Sequence, residues 1–167
     1  VNVVDSTVPS ITLLGVNPMS IECGTVYTEP GATASDSCEG IISGSIVVAG
    51  DIVDSNTVGS YGITYNVDDG NGNSAVEVVR TVNVADTVPP SITLIGNAFV
   101  LVECNTPYAD AGATAFDVCD GVLTGAIAAI NPVNTAVTGS YAVAYNVADS
   151  SGNNAAQVSR TVEVVDT

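Results

Sequence analysis

The sequence predicts an all-β protein built from two tandem sandwich modules. Three observations predict it: a long internal repeat, short runs rich in Val, Ile, Thr and Tyr, and turn residues at regular intervals between those runs. Placing Ser10–Val47 on Ser91–Ala128 at an offset of 81 gives 18 identities in 38 positions. After a one-residue deletion, Gly59–Thr87 matches Gly139–Thr167 at an offset of 80 with 17 identities in 29. The boundary falls near Asp86-Thr-Val-Pro-Pro, where two prolines stiffen the connection and cannot continue a central strand. The expected division is therefore residues 6–85 and residues 86–167.

Along the chain, Val1-Asn-Val-Val-Asp-Ser comes first and resembles the closing segments Val82-Asn-Val-Ala-Asp-Thr and Val162-Glu-Val-Val-Asp-Thr. Residues 1–5 are expected to be the end strand of a preceding repeat, or a donor strand that completes a neighbouring sandwich. Strands are then expected at Ile11–Leu14, Met19–Cys23, Tyr61–Val67 and Val76–Val84, with equivalents in the second copy. Tyr61-Gly-Ile-Thr-Tyr-Asn-Val and Arg80-Thr-Val-Asn-Val alternate with period two, as half-buried strands do. Between them Asp68–Asn73 reads as a hairpin turn of residues that tolerate positive φ. No stretch has a capped 3.6-residue apolar period, so helix is at most a minor component.

Composition excludes much. Lys+Arg is 2 against Asp+Glu 18, a formal net charge of −16, and His and Trp are absent. Both cations are arginines, Arg80 and Arg160. Nucleic-acid binding needs cations to displace counterions from phosphate, so no nucleic-acid partner is expected. Histidine general catalysis, a lysine Schiff base and a serine–histidine pair are all ruled out. A hydrophobic fraction of 46% suits a globular chain despite its charge. No apolar run approaches the roughly 18 residues of a membrane helix, so no membrane insertion is expected.

The anchors Asp-Thr-x-Pro-Pro-x-Ile-x-Leu-x-Gly, Gly-Ala-Thr-Ala-x-Asp, Gly-Ser-Tyr-x-x-x-Tyr-Asn-Val, Asp-x-x-Gly-Asn and Arg-Thr-Val-x-Val-x-Asp span nearly the whole chain twice. They resemble bacterial immunoglobulin-like repeats, found in surface proteins and in the tails of some insecticidal crystal toxins. The Asp-x-Cys and Asp-x-x-Gly-Asn elements are also similar to the hyalin repeat of extracellular adhesion proteins. The resemblance implies two tandem immunoglobulin-like β-sandwiches in an extracellular or cell-surface setting. It is weak on function, because such repeats are mostly spacers. The cysteines depart from the commoner bacterial pattern.

Those cysteines are Cys23 and Cys38, then Cys104 and Cys119, fifteen apart in each copy. Equal spacing at equivalent positions argues for Cys23–Cys38 and Cys104–Cys119 bonds within the modules, and hence for an oxidising compartment. Each bond would contribute about 3 kcal/mol on the chain-entropy model. The rival reading, metal-binding thiolates, lacks a C-x-x-C pair and any histidine.

The acids have a bland reading and a sharp one. A solvated, repulsive surface would keep an array soluble and extended. Alternatively, calcium takes six to eight oxygens. In an immunoglobulin-like sandwich Asp5, Asp36 and Asp69 should share the end where the chain enters, and Asp86, Asp117 and Asp149 repeat them. A cation at either trio would brace the joint with what precedes it. Against this, the Asp-x-x-Gly-Asn turn needs no metal, since Asp and Asn bond their own backbone. Glycoside hydrolysis also uses paired carboxylates, but neither a cleft-forming insertion nor a tryptophan platform accompanies these, and no enzyme is expected.

Arg80 and Arg160 each open the last strand and are expected in an internal salt bridge or over a tyrosine face. Tyr61/Tyr65 and Tyr141/Tyr145 are expected in core packing, with a tyrosine-corner role. No Asn-x-Ser/Thr sequon occurs, while abundant Ser and Thr leave O-linked glycan open. The expected function is a non-catalytic segment of an extracellular fibre, filament or stalk, whose partners are copies of itself or neighbouring repeats. The alternative is an adhesin-type module that binds glycan or a surface protein through its loops.

Overall fold

The computed structural model describes residues 2–167 and divides into two compact units, Val1–Asp86 and Thr87–Thr167. Each is an all-β sandwich. In the first, β1 (Ser10–Leu13), β3 (Ala32–Asp36) and β4 (Gly40–Ile41) form a three-stranded sheet in the order β1-β3-β4. The facing sheet runs β2-β7-β6-β5, from β2 (Met19–Glu22), β5 (Val47–Gly50), β6 (Gly59–Asn66) and β7 (Val78–Ala85). A one-turn 3-10 helix, Ser43–Ser45, joins β4 to β5.

The second unit repeats this plan. Its sheets are β8-β10-β11 (Ser91–Leu94, Ala113–Asp117, Gly121–Val122) and β9-β14-β13-β12 (Phe99–Glu103, Val158–Val165, Gly139–Asn146, Ala128–Ile130). Thr124–Ala126 is its 3-10 turn. The expected strands lie within a residue or two of the observed ones, and the two 3-10 turns are the only helical segments among the described residues.

Pairing fixes which loops share an end. β2 lies parallel to β7, Met19 beside Val82 and Glu22 beside Ala85, and Cys23 N–H continues the ladder to Ala85 O at 2.7 Å. β1 lies antiparallel to β3, which sets Ser10 beside Ser35. The β6–β7 turn, closed by a bridge between Asp68 and Ser74, reaches the incoming chain, where Asn73 Nδ2 donates to Asp5 O. The chain thus enters the module beside the β3 and β6–β7 turns and leaves it at Ala85, at the far end of an eight-residue strand. The second module has the same polarity: Cys104 N–H donates to Val165 O at 2.7 Å, at the end of β14.

The cores follow from the alternation. On β7, Arg80, Val82 and Val84 are buried and the residues between them are not. Ile63, Tyr65 and Val82 centre the first core, packed by Ile11, Leu13, Ile21, Tyr27 and others. Val102, Ala113, Val143, Tyr145 and Val162 centre the second. Tyr61 donates its hydroxyl to Thr57 O, and Tyr141 to Val137 O, each at 2.9 Å four residues upstream. These are the expected tyrosine corners.

Residues 2–9 form no strand within the chain, and Val3 and Val4 are exposed. Val1 lies outside the described residues. No helix among the described residues is long and apolar enough to cross a membrane.

Candidate functional site

Two features stand apart from ordinary sandwich packing: a buried polar network in each core, and a carboxylate cluster at each entry end.

The network is built on the two arginines. Arg80 occupies a core-facing position of β7 and is fully buried. Its Nε pairs with Glu29 Oε1 at 2.8 Å, Nη1 donates to Val16 O at 2.7 Å, and Nη2 donates to Leu14 O and Gly31 O at 2.6 and 3.0 Å. Glu29 also accepts the hydroxyls of Tyr27 and Tyr65 and the Gly31 N–H. In the second module Arg160 is paired with Asp110, donates to the carbonyls of Asn97, Ile95 and Gly112, and stands 6.0 Å from the Tyr145 ring centroid. Asp110 accepts from Tyr108, Tyr145 and Gly112 N–H.

Burial alone would raise the Glu29 and Asp110 carboxyls, but the tyrosine hydroxyls, the glycine N–H and the guanidinium together hold both below the usual carboxylate range. The tyrosines move the other way. Burial and the adjacent carboxylate push Tyr145 up to about 12, and raise Tyr27, Tyr65 and Tyr108 as well. The salt-bridge expectation for both arginines therefore holds. What sequence reading missed was the acid partner. The signal was present, since Tyr27-Thr-Glu29 and Tyr108-Ala-Asp110 keep an acid two residues after a tyrosine in both copies.

The entry clusters comprise turn residues. Asp36 ends β3 and accepts from Cys38 N–H at 2.7 Å; Asp117 ends β10 and does the same for Cys119. Asp69 caps the β6–β7 turn, accepting from the N–H groups of Asn71 and Asn73 and from Asn73 Nδ2. Asp149 accepts from Asn153 in the same way. Asp5 accepts from both the N–H and the hydroxyl of Thr7, which lowers it to about 2. These bonds are the turn chemistry expected of such residues.

The expected trios come together unequally. Asp5 groups with Asp36 and the Cys38 thiol, and separately with Glu39 and Asp69, each set placing one ligand atom per residue within 4.8 Å of the others. Asp5, Asp36 and Asp69 do not form a single group. Among the second set of residues, Asp86, Asp117 and Asp149 are all buried and do meet that limit. Glu39 was not foreseen. Burial, and then the neighbouring Asp36 and Asp5, raise its carboxyl, the mark of acids crowded together. Glu39 accepts from Asn71 Nδ2, and its repeat counterpart, Asp120, accepts from Ser150 N–H and hydroxyl at 2.5 and 2.8 Å.

The cysteine pairing is a correction. Cys23 and Cys119 are disulfide-bonded, whereas Cys38 and Cys104 carry free thiols, so neither Cys23–Cys38 nor Cys104–Cys119 is formed. The reason is topological. Cys23 adjoins Ala85 at the exit end, while Cys38 adjoins Asp5 and Asp36 at the entry end. The intervening strand β7 spans about 26 Å at ~3.3 Å per residue. A disulfide needs Cα atoms within about 7 Å. Spacing of fifteen measured a traverse of the module.

The family pattern described as "Bacterial surface protein, Ig-like domain" matches residues 11–84 and again 92–164. No curated protein sequence matches the chain. Among solved structures, the chain is similar to the M60 catalytic domain with CBM51-1 and CBM51-2 domains from Clostridium perfringens ZmpB, at 13% identity and a TM-score of 0.50. That match covers 98% of this chain but only 31% of that one. It is also similar to the lipoprotein BT2262 from Bacteroides thetaiotaomicron (17%, TM-score 0.42, 87% of this chain and 96% of that one). A third similarity is to the Clostridium thermocellum CbhA fibronectin(III)-like modules (16%, TM-score 0.35, 94% and 95%). At 13% identity the first of these likenesses speaks to the fold alone. Matched twice and over most of its length, the chain belongs to the bacterial surface protein Ig-like domain family.

Proposed function

We propose that the chain is a non-catalytic structural segment of an extracellular stalk, fibre or filament, with neighbouring repeats or copies of itself as partners. The observation that carries this reading is the polarity of each module, which receives the chain at one end and releases it at the other, a polarity that would suit addition of modules in series. The family supports a surface setting. A net charge of −16 favours separation of neighbouring chains over collapse. The only two cations are consumed in structural networks inside the cores, which leaves the surface without a basic group for acid–base work or for anion binding.

Electron microscopy of native material tests this. Continuous thin fibres or stalks are expected. Dispersed particles retained on a glycan matrix through the module loops would favour the adhesin reading instead.

Calcium at the entry clusters is part of the same proposal. The oxygens of Asp5, Glu39 and Asp69, and of Asp86, Asp117 and Asp149, suit a hard cation, and the Asp5 Oδ2 atom is shielded from water without a hydrogen bond. Calcium titration by calorimetry should detect binding that Asp117→Asn weakens at least tenfold. No heat at millimolar calcium would leave these residues as turn caps only.

A further inference from the structure

Each module carries one cysteine at its entry end and one at its exit end. Cys38 and Cys119 follow β3 and β10 at the entry, and Cys23 and Cys104 adjoin the last residues of β7 and β14 at the exit. Bonding within a module is excluded by the length of the sandwich. Cys23 and Cys119 are disulfide-bonded, and the two free thiols are of opposite kind: Cys38, exposed at an entry, and Cys104, half-buried at an exit.

We propose that Cys104 and Cys38 are the two halves of an end-to-end disulfide staple, the exit cysteine of one copy bonding the entry cysteine of the next. The proposal rests on the array reading and gives it a covalent joint. It uses a disulfide oxidant of low molecular weight. The Cys104 thiolate attacks one sulfur of that oxidant, breaks its S–S bond and releases one thiol, leaving a mixed disulfide. The Cys38 thiolate of a second copy then attacks the Cys104 sulfur and displaces the other thiol. Two protein thiols lose two protons and two electrons, and the oxidant gains them as two thiols. Because exit meets entry, the contact is heterologous and does not close on itself. Pairing of like ends through one kind of cysteine alone would stop at two copies, and through both kinds would give junctions of Cys38 to Cys38 and Cys104 to Cys104.

The test uses the whole chain with glutathione disulfide as oxidant, followed by non-reducing electrophoresis and mass spectrometry. The expected result is a ladder extending beyond the dimer, collapsed by reductant, whose junction peptides join Cys104 to Cys38. Cys38→Ser and Cys104→Ser, each checked for the native circular dichroism spectrum, should lose every species above the dimer. Mixing the two variants should yield a heterodimer through their surviving thiols. Three outcomes overturn the staple: monomers carrying glutathione on both thiols, a Cys38–Cys104 bond inside a monomer, or dimers and longer species joined only between like cysteines. Fibres that persist unchanged in reductant would overturn the staple and leave the array reading standing. A ladder with no fibres by microscopy would do the reverse.

Discussion

Arg80 stands on β7 where the alternation calls for another valine, and the fold completes around it. Its guanidinium satisfies the carbonyls of Leu14, Val16 and Gly31, so removing it would strand three acceptors as well as the Glu29 carboxylate. Breaking a buried pair by deleting one partner costs about 3–5 kcal/mol. With Glu29 27% exposed, Arg80→Met should destabilise the first module by about 3 kcal/mol in urea unfolding. A change within about 0.5 kcal/mol, the range of an ordinary surface substitution, would contradict the role assigned to the network. The same groups set a pH dependence. Glu29 and Asp110 are depressed in the folded state, so their contribution is complete above the ordinary carboxylate range and is lost as pH falls through the folded values. The tyrosines are raised, so their contribution is complete below about 10, the ordinary tyrosine value, and is lost as pH rises; for Tyr145 the loss extends to about 12. Protonating the other surface acids relieves repulsion and acts oppositely, so the informative quantity is a difference. Relative to the native chain, Glu29→Gln should lose less stability between neutral pH and pH 3. Parallel curves for the two proteins would contradict the assignment.

At the scale of single elements, most strands were legible because period-two alternation and the repeat reported the same boundaries twice. The β6–β7 turn was legible because Asp69, Asn71 and Asn73 bond locally. Less visible was the end of β5. Gly50 has φ +91°, and a Cβ there would lie 2.3 Å from Gly62 O, across the β5–β6 pair. Gly50→Ala should cost about 1–3 kcal/mol through backbone strain alone, read as a lowered urea midpoint for the first module. An unchanged midpoint would mean that β5 shifts freely along β6. The entry clusters were half legible. Sequence placed Asp36 and Asp69 at one end, but which of them meets Asp5 depends on side-chain reach, and Glu39 intervenes. The cysteine pairing was not legible at all, since fifteen residues describe a hairpin and a traverse equally well.

Over the whole molecule, two copies of one sandwich preserve their polar cores, their corner tyrosines and their opposed cysteines, while most of the acidic residues lie outside the buried set. Under the proposed structural role, mechanical continuity would account for this combination. A binding protein would distinguish its copies by loops, yet the repeat changes offset by only one residue, from 81 to 80. The family of bacterial surface Ig-like domains provides the setting, and under the proposed role the polarity of each module would provide the means of extension. The most direct test is a disulfide map of unreduced native material by mass spectrometry. Only bonds joining an exit cysteine, Cys23 or Cys104, to an entry cysteine, Cys38 or Cys119, of a different module should be found. A Cys23–Cys38 or Cys104–Cys119 peptide pair would place both cysteines at one end of a module and contradict the account.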